Sequence, residues 1–269
     1  MALEASTPRQ TAPSVTVATV VLNSIDLIEG TITSILAQDH ANLEYIVVDG
    51  GSTDGTLEII EKYRDRIDRF VTERDRGIYD AMNKAAILAK GDYIIFMNSG
   101  DEFTNAGSVA ALCDCLRHNE ALVYGGWVVR YPWGLERAGT PAPRHLFWRG
   151  MFAQHQSVMV KTQYLRDHPF DLSFSLGADY AFLLRMVADG VAFRECEAQV
   201  SRVSSGGASD KNRIAVIKSH WQQARLYYPG LRTDAYYLMK ITREWLAVAT
   251  KRMLPARWVE AIIASKSPS

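Results

Sequence analysis

Residues 47–56 read Val-Val-Asp-Gly-Gly-Ser-Thr-Asp-Gly-Thr. An apolar run from Leu43 to Val48 ends on Asp49, two glycines follow, and Thr53-Asp54-Gly55 opens a helix through Leu57, Ile60 and Tyr63. This is a buried strand turning into a helix, with a carboxylate at the strand end. Upstream, Val15 to Leu22 reads as a buried strand, and Ile28, Ile32, Ile35 and Leu36 recur at helical spacing behind Asn23 and Ser24. Downstream come a short strand near Phe70–Thr72, a helix over Ile78–Lys90, and a strand over Tyr93–Met97 that ends in Asn98-Ser99-Gly100-Asp101. Strands alternating with helices predict an α/β fold, a mostly parallel sheet with helices on both faces. Ligands on such sheets bind beyond the carboxyl ends of the strands, where Asn23, Asp49–Asp54 and Asn98–Asp101 fall.

The second half of the 269-residue chain is less regular. Strands are expected over Ala121–Val129 and Ser157–Val160, and a helix over Asp179–Val187. Helical stretches follow the Ser204-Ser205-Gly206-Gly207 loop, broken at Pro229-Gly230 and Pro255. The expected divisions are a disordered tail over 1–13, two halves of one domain over 14–105 and 106–207, and a helical extension over 208–269. Hydrophobic residues are 48% and charged residues 22%, which excludes a wholly disordered chain. No apolar run approaches the ~18 residues of a membrane span, and the N-terminus does not read as a signal peptide. The three cysteines, Cys113, Cys115 and Cys196, make no disulfide framework or zinc set, so buried thiols in a reducing cytoplasm are expected.

Three passages carry chemistry. At Asp49 a strand-end carboxylate can accept from a base N–H or a sugar hydroxyl, and Gly50 and Gly51 let backbone approach a ligand. A capped strand-to-helix turn has the same spacing. The passage is not a Walker A loop, since Thr56 stands where a lysine is required, and its glycines do not have the G-x-G-x-x-G spacing of a Rossmann fingerprint. In Arg74-Asp75-Arg76-Gly77-Ile78-Tyr79-Asp80-Ala81-Met82-Asn83-Lys84, Asp80 and Asn83 share one side of a helix start. Taken alone, that passage reads better as a solvated helix start with ion pairs. At Asn98-Ser99-Gly100-Asp101, hard oxygen ligands follow a buried strand, with a single carboxylate among them.

Taken in order, VDGGSTDGT (48–56), RGIYDAMNKA (76–85) and GDYIIFMNSGD (91–101) resemble family 2 glycosyltransferases of the GT-A fold, the nucleotide-diphospho-sugar transferase-like sheet. The likeness is nearest to bacterial enzymes that build cell-surface polysaccharides or glycolipids. The resemblance implies an inverting transfer of a sugar from a nucleotide-sugar donor, UDP-sugar favoured, to an acceptor hydroxyl on a glycan or lipid-linked acceptor. It implies that Thr19, Val21, Asn23, Asp49 and Gly50 hold the nucleotide, with Gly77, Asp80, Asn83, Asn98 and Ser99 along the donor. Asp101 would bind Mg²⁺ or Mn²⁺ on the diphosphate, although this chain has Asn98 and Gly100 where many members carry Asp. Asp179, in Gly177-Ala178-Asp179-Tyr180, would be the general base, a helix cap being the other use of an Asp there. His155, Gln156 and Gly207 would contact acceptor or phosphate, a structural histidine and a flexible Gly206-Gly207 linker being the other readings of the first and last.

Equal totals of 30 basic and 30 acidic residues hide an asymmetry: residues 206–269 carry 11 Lys and Arg against 4 Asp and Glu. In the helix expected over Ala235–Met253, Leu238, Ile241, Trp245, Val248 and Ala249 lie on one side and Lys240, Arg243 and Lys251 on the other. A basic amphipathic helix of this kind fits a membrane surface, placing the protein at the inner face of the cell membrane. Packing on the domain or on a second copy in a homo-oligomer is the other reading. Nucleic-acid binding has no motif to support it. A nucleotidyltransferase would need a Gly-rich basic signature near the first strand, and none is present. The alternative to an enzyme is a nucleotide-sugar-binding protein that has lost catalysis.

Overall fold

A computed structural model describes residues 12–118 and 120–253. The first strand, β1 (Val15–Val21), is buried at every position. It pairs in parallel with β2 (Leu43–Asp49) on one side and β4 (Tyr93–Phe96) on the other, and β2 pairs in parallel with β3 (Arg69–Thr72). β8 (Val158–Lys161) runs antiparallel between β4 and β6 (Leu122–Arg130), and β6 is parallel to β9 (Phe193–Ser204). β5 (Glu102–Phe103) closes the edge against β9, and β7 (Glu136–Gly139) forms a hairpin with β6. The result is one nine-stranded sheet, mixed and mostly parallel in its first half.

Alternation along β1 divides the core between the two faces of this sheet. Val15, Val17 and Val21 pack with Ile28, Ile32 and Ile35 of α1 (Ile28–Leu36), Ile60 of α2 (Thr56–Glu61), and Val109 and Leu112 of α4 (Ser108–Asp114). Ala18 and Val20 pack with Ala81, Met82 and Ala85 of α3 (Ile78–Leu88), Leu165 of α5 (Thr162–Asp167), and Phe182 and Leu183 of α6 (Ala178–Ala188). Each fully buried isoleucine contributes roughly 1.5–3 kcal/mol.

Several expectations need correction. Residues 12 and 13 are tied down: the Ala12 carbonyl accepts from Asn42 and the Pro13 carbonyl lies 2.8 Å from His40 Nε2. Cys115 is bridged to Cys196, with Cα atoms 5.9 Å apart, because α4 lies against β9. Only Cys113 is a free, buried thiol, so the cysteines do not support a reducing compartment. The 12-residue β9 was not expected from its charges, although Cys196, Ala198 and Val200 alternate with Glu195, Glu197 and Gln199.

The C-terminal region is a hairpin of α8 (Arg213–Tyr227) and α9 (Leu231–Met253), entered through the short α7 (Ala208–Lys211). The break falls at Pro229-Gly230 as expected, while Pro255 lies outside the described residues. The hairpin docks through Ile217, Ala224 and Tyr237 onto Tyr180 and Leu184 of α6. The Tyr237 hydroxyl donates to the Trp148 carbonyl at 3.1 Å, and Lys240 to the Arg149 carbonyl at 3.0 Å. The expected apolar stripe is therefore split. Ile241 packs inward beside Lys240, whereas Leu238, Met239, Trp245 and Leu246 are all more than half exposed. No described helix is long and apolar enough to cross a membrane.

The junction between α3 and β4 sets how closely β4 approaches β1. Gly91 donates to Thr16 Oγ1 at 2.9 Å, and a Cβ there would lie 2.5 Å from the Thr16 nitrogen and 2.9 Å from the Tyr93 carbonyl oxygen. Neither backbone atom can swing aside. Gly91→Ala is expected to lower stability by about 1–3 kcal/mol, read by urea unfolding.

Candidate active site

The strand ends of β1, β2 and β4 lie on one rim, because Val21 is in register with Asp49 and Ala18 with Phe96. Asp49 is fully buried there. Its Oδ2 accepts from the Gly51 and Ser52 amides at 2.9 and 3.0 Å and from the Thr72 hydroxyl at 2.7 Å. Its Oδ1 is buried without a partner. A carboxylate oxygen in that state is an acceptor awaiting a donor, since leaving it unpaired costs about 1–3 kcal/mol or more. Asn23, with φ 48, braces the neighbouring loop: its amide donates to Ser52 Oγ at 2.8 Å and its Oδ1 accepts from the Thr53 amide at 2.9 Å. Val21 contributes its carbonyl, which accepts from Gly50 N–H at 2.9 Å. Thr19 is not on the rim. It is fully buried two residues below, its hydroxyl 3.2 Å from that of Tyr45.

A Cβ on Gly50 would sit 2.9 Å from Asp75 Oδ2, which leads along the rim to the helix start of α3. Lys84 binds Asp75 at 2.5 Å, Glu73 at 2.8 Å and Asp80 at 3.6 Å. These acceptors, Asp75 first, hold the Lys84 ammonium above its ordinary pKa. The nearly buried Asp80 accepts from the Arg76 amide at 3.0 Å and its guanidinium at 3.1 Å. The amide bond is the main reason its pKa is lowered. Gly77 is exposed at the helix start, with φ 118. Asn83 turns away from the rim: its amide both donates to and accepts from the backbone of Phe170, at 2.9 Å each. Asp80 and Asn83 thus diverge, although their spacing placed them together.

Beyond β4, Asn98 Nδ2 lies 2.9 Å from His155 Nε2. Asn98 Oδ1 and Ser99 Oγ are both buried without partners. Asp101 accepts from Gln156 Nε2 at 2.5 Å, and burial pushes its pKa up to about 6 despite that bond. His155 Nδ1 lies 3.7 Å from Asp179 Oδ2. The other oxygen of Asp179 accepts from the Tyr79 hydroxyl and the Tyr180 amide, each at 3.0 Å. Asp179 sits inside the first turn of α6 and does not cap it, since Gly177 holds the cap position with no side-chain bond. His155 and Asp179 also edge a small cavity of about 30 Å³ walled by Met82, Phe96, Phe170 and Phe182. Gly207 is exposed on the loop after β9, whose Ser204 hydroxyl donates to the Gly100 carbonyl at 3.3 Å.

The rim therefore forms an arc from Asp49 past Asp75 and Asp80 to Tyr79 and Asp179, then through His155 and Asn98 to Gln156 and Asp101. Thr72, Asp75, Tyr79 and Lys84 were not singled out from the sequence. Asp75, Tyr79 and Lys84 lie inside a quoted motif, while the role of Thr72 depends on β3 lying beside β2. Among the described residues no three His, Cys, Asp or Glu side chains are grouped to hold a metal ion. One carboxylate with two unpartnered oxygens beside it, Asn98 Oδ1 and Ser99 Oγ, fits a hard cation whose other ligands come from a bound diphosphate.

Known proteins resemble this chain in sequence and in fold. The family model described as glycosyl transferase family 2 matches residues 16–173. An uncharacterized glycosyltransferase of Mycobacterium tuberculosis is 30% identical over 205 residues, covering 72% of this chain and 78% of its own. A PGL/p-HBAD biosynthesis glycosyltransferase of Mycobacterium bovis is 30% identical over 183 residues, covering 65% and 70%. Among solved structures, a mannosyltransferase of Pyrobaculum calidifontis in complex with GDP-Man and Mn²⁺ superposes with a TM-score of 0.63 at 19% identity, covering 97% of this chain and 83% of that one. S. aureus TarS in complex with UDP-GlcNAc gives 0.60 at 18%, covering 85% and 71%. Both share the GT-A sheet described above. With more than half its length matched by the family model, and the three motifs lying on one rim, the chain belongs to glycosyl transferase family 2.

Proposed function

We propose that the protein transfers a sugar from a UDP-sugar to an acceptor hydroxyl with inversion, in the building of a bacterial cell-surface glycan or glycolipid. The observation that carries this is the arc of strand-end groups, with an unpartnered carboxylate oxygen at Asp49 and the Asp179 carboxylate farther round. The Asp49 oxygen suits the ring N–H of a uracil. Gly50 leaves room beside it, and the exposed Gly77 and the Asp80 carboxylate border the ribose and sugar. Asp179 takes the proton of the acceptor hydroxyl as that oxygen attacks the anomeric carbon from the face opposite the diphosphate. His155, beside Asp179 and bonded to Asn98, spans from the base to the leaving-group side, with Gln156 and Gly207 flanking the phosphates. Asp101, with Asn98 and Ser99, would hold a divalent cation, which would supply charge neutralisation for the diphosphate. TarS with UDP-GlcNAc and a Mycobacterium tuberculosis glucosyl-3-phosphoglycerate synthase with Mn²⁺ and UDP support the nucleotide and the cation. A Bacillus subtilis putative teichuronic acid biosynthesis glycosyltransferase, 40% identical over 94 residues, supports the cell-surface assignment.

The exposed Leu238, Met239, Trp245 and Leu246 of α9, with Arg243 among them, favour contact with an anionic membrane carrying a lipid-linked acceptor. Full-length protein is expected to sediment with anionic vesicles at low salt and to release as salt rises. Trp245→Ser should weaken the association. A stable dimer that ignores vesicles would instead make this face a contact between copies.

The donor site is tested by Asp49→Asn. Three donors require an oxygen at the Oδ2 position, so the amide must turn its NH₂ toward the base, donor against donor. UDP affinity should fall by about tenfold or more, read by calorimetry beside GDP. Tighter binding of GDP by the unaltered protein would reassign the nucleotide.

Catalysis is tested by Asp179→Asn with a panel of nucleotide-sugars, scored by release of nucleoside diphosphate. Turnover should fall about 10²-fold or more while UDP affinity holds. Chelation, or Asp101→Ala, should remove Mn²⁺-dependent turnover. Activity that survives exhaustive chelation would leave the diphosphate to cations and backbone donors alone.

A further inference from the structure

We infer that the C-terminal hairpin is part of the catalytic apparatus: Ser219 of α8 is a positioning residue for Asp179, acting through the peptide between Leu176 and Gly177 and through the Tyr79 hydroxyl. The inference rests on the reading of Asp179 as the base.

The peptide linking Leu176 to Gly177 is gripped on both edges. Its carbonyl accepts from Ser219 Oγ at 2.6 Å, and its N–H donates to the Tyr79 hydroxyl at 3.0 Å. A phenol has one proton to give. By accepting the Gly177 N–H, the Tyr79 oxygen is left to donate to Asp179 Oδ1, 3.0 Å away. That oxygen also takes the Tyr180 amide. Oδ1 is thus committed to two donors, and Oδ2 remains on the His155 side of the site. The tilt of one peptide plane, set from α8, decides which carboxylate oxygen faces the chemistry.

Ser219 is itself fixed. Gln223, fully buried one turn later, donates to its hydroxyl at 3.0 Å. The neighbouring His220 ring lies against Tyr180, with ring centres 4.4 Å apart. It fills the space above Gly177, where a Cβ would meet the ring at 2.9 Å. Burial pushes the His220 pKa down to about 4, so this wall is uncharged at neutral pH. Gly177 holds φ 78, a left-handed conformation that favours glycine, and the turn has little room to rearrange. Docking the hairpin for stability alone needs only the apolar contacts of Tyr180, Leu184, Ile217, Ala224 and Tyr237. It does not need a hydroxyl on the backbone of the turn that carries Asp179.

The test uses full-length protein carrying Ser219→Ala, Ser219→Thr or Tyr79→Phe. Three quantities are read: turnover and donor KM with the best donor of the panel, UDP affinity by calorimetry, and the ¹³C carboxyl resonance of Asp179, assigned by its loss in Asp179→Asn. Ser219→Ala and Tyr79→Phe should each lower kcat about tenfold or more, hold donor KM and UDP affinity within about twofold, and move the Asp179 resonance. Ser219→Thr should restore both kcat and resonance. An Ala variant with unchanged kcat and an unmoved resonance would overturn the inference. So would a loss of kcat matched by an equal loss of UDP affinity, which would make Ser219 a stability residue. If Asp179→Asn itself keeps normal turnover, the base assignment fails, and the resonance still decides whether Ser219 sets the carboxylate.

Discussion

The parallel pairing of β1 with both β2 and β4 is the constraint on which the site depends. β1 is buried along its whole length, so its backbone groups must be satisfied by neighbouring strands. Val21 pairs with Asp49 on one side and Ala18 with Phe96 on the other. That register brings Asp49 and the Asn98–Asp101 turn to the same height on either side of Asn23. A one-residue slip would turn Asp49 into a packed face and bring Val48 to its place. The close approach at Gly91 fixes the β1–β4 side of this register from below, and the Asn23–Ser52 and Asn23–Thr53 bonds tie its top.

The parallel half of the fold was legible because its strands are continuous β-branched runs and its helices have clean periodicity. The second half was less so. β9 is half polar, its outer residues salt-bridged or exposed, and its pairing with β6 is irregular between Tyr124 and Trp127. The α9 wheel misled because Tyr237 and Lys240 dock the helix. A half-buried lysine bonded to a backbone carbonyl looks, in sequence, like a solvated one. Spacing also cannot show which way two side chains on one helix face turn, and Asn83 and Asp80 part for that reason. The site was readable where a motif lies at a strand end, as at Asp49 and Asp101. Thr72 was not, because its partner Asp49 is distant in sequence, nor was the approach of Asp75 to Gly50, which depends on β3 lying beside β2.

Asp179 and Asp101 show how environment separates two carboxyl groups of one rim. Asp101 is desolvated, which favours its neutral form, with a side-chain amide as the opposing contact. Bringing an opposite charge beside it reverses that preference, so a cation and the Asp101 carboxylate favour each other. Asp179 faces a phenol, an amide and an imidazole instead. These contacts hold the two oxygens of Asp179 in set directions, which suits the proposed role of receiving a proton.

Unpartnered buried oxygens are costly, and their location separates function from packing. Asp49 Oδ1, Asn98 Oδ1 and Ser99 Oγ are three such atoms on one rim. Gln223 Oε1 is another, under the hairpin. Each forfeits a hydrogen bond that water supplied in the unfolded chain, at roughly 1–3 kcal/mol. An isolated orphan such as that of Gln223 follows when an amide's other end is committed to Ser219. The Asn98 amide is likewise committed at its other end, to His155, but the three rim orphans gather at two neighbouring strand ends, Asp49 after β2 and Asn98 with Ser99 after β4. A nucleoside diphosphate and its cation would satisfy all three at once, returning on binding the free energy that folding withheld. By mass action the same ligand would raise the stability of the folded state. In the proposed reading the rim gives up stability in favour of recognition, and the sheet beneath it, buried on both faces, makes that loss tolerable.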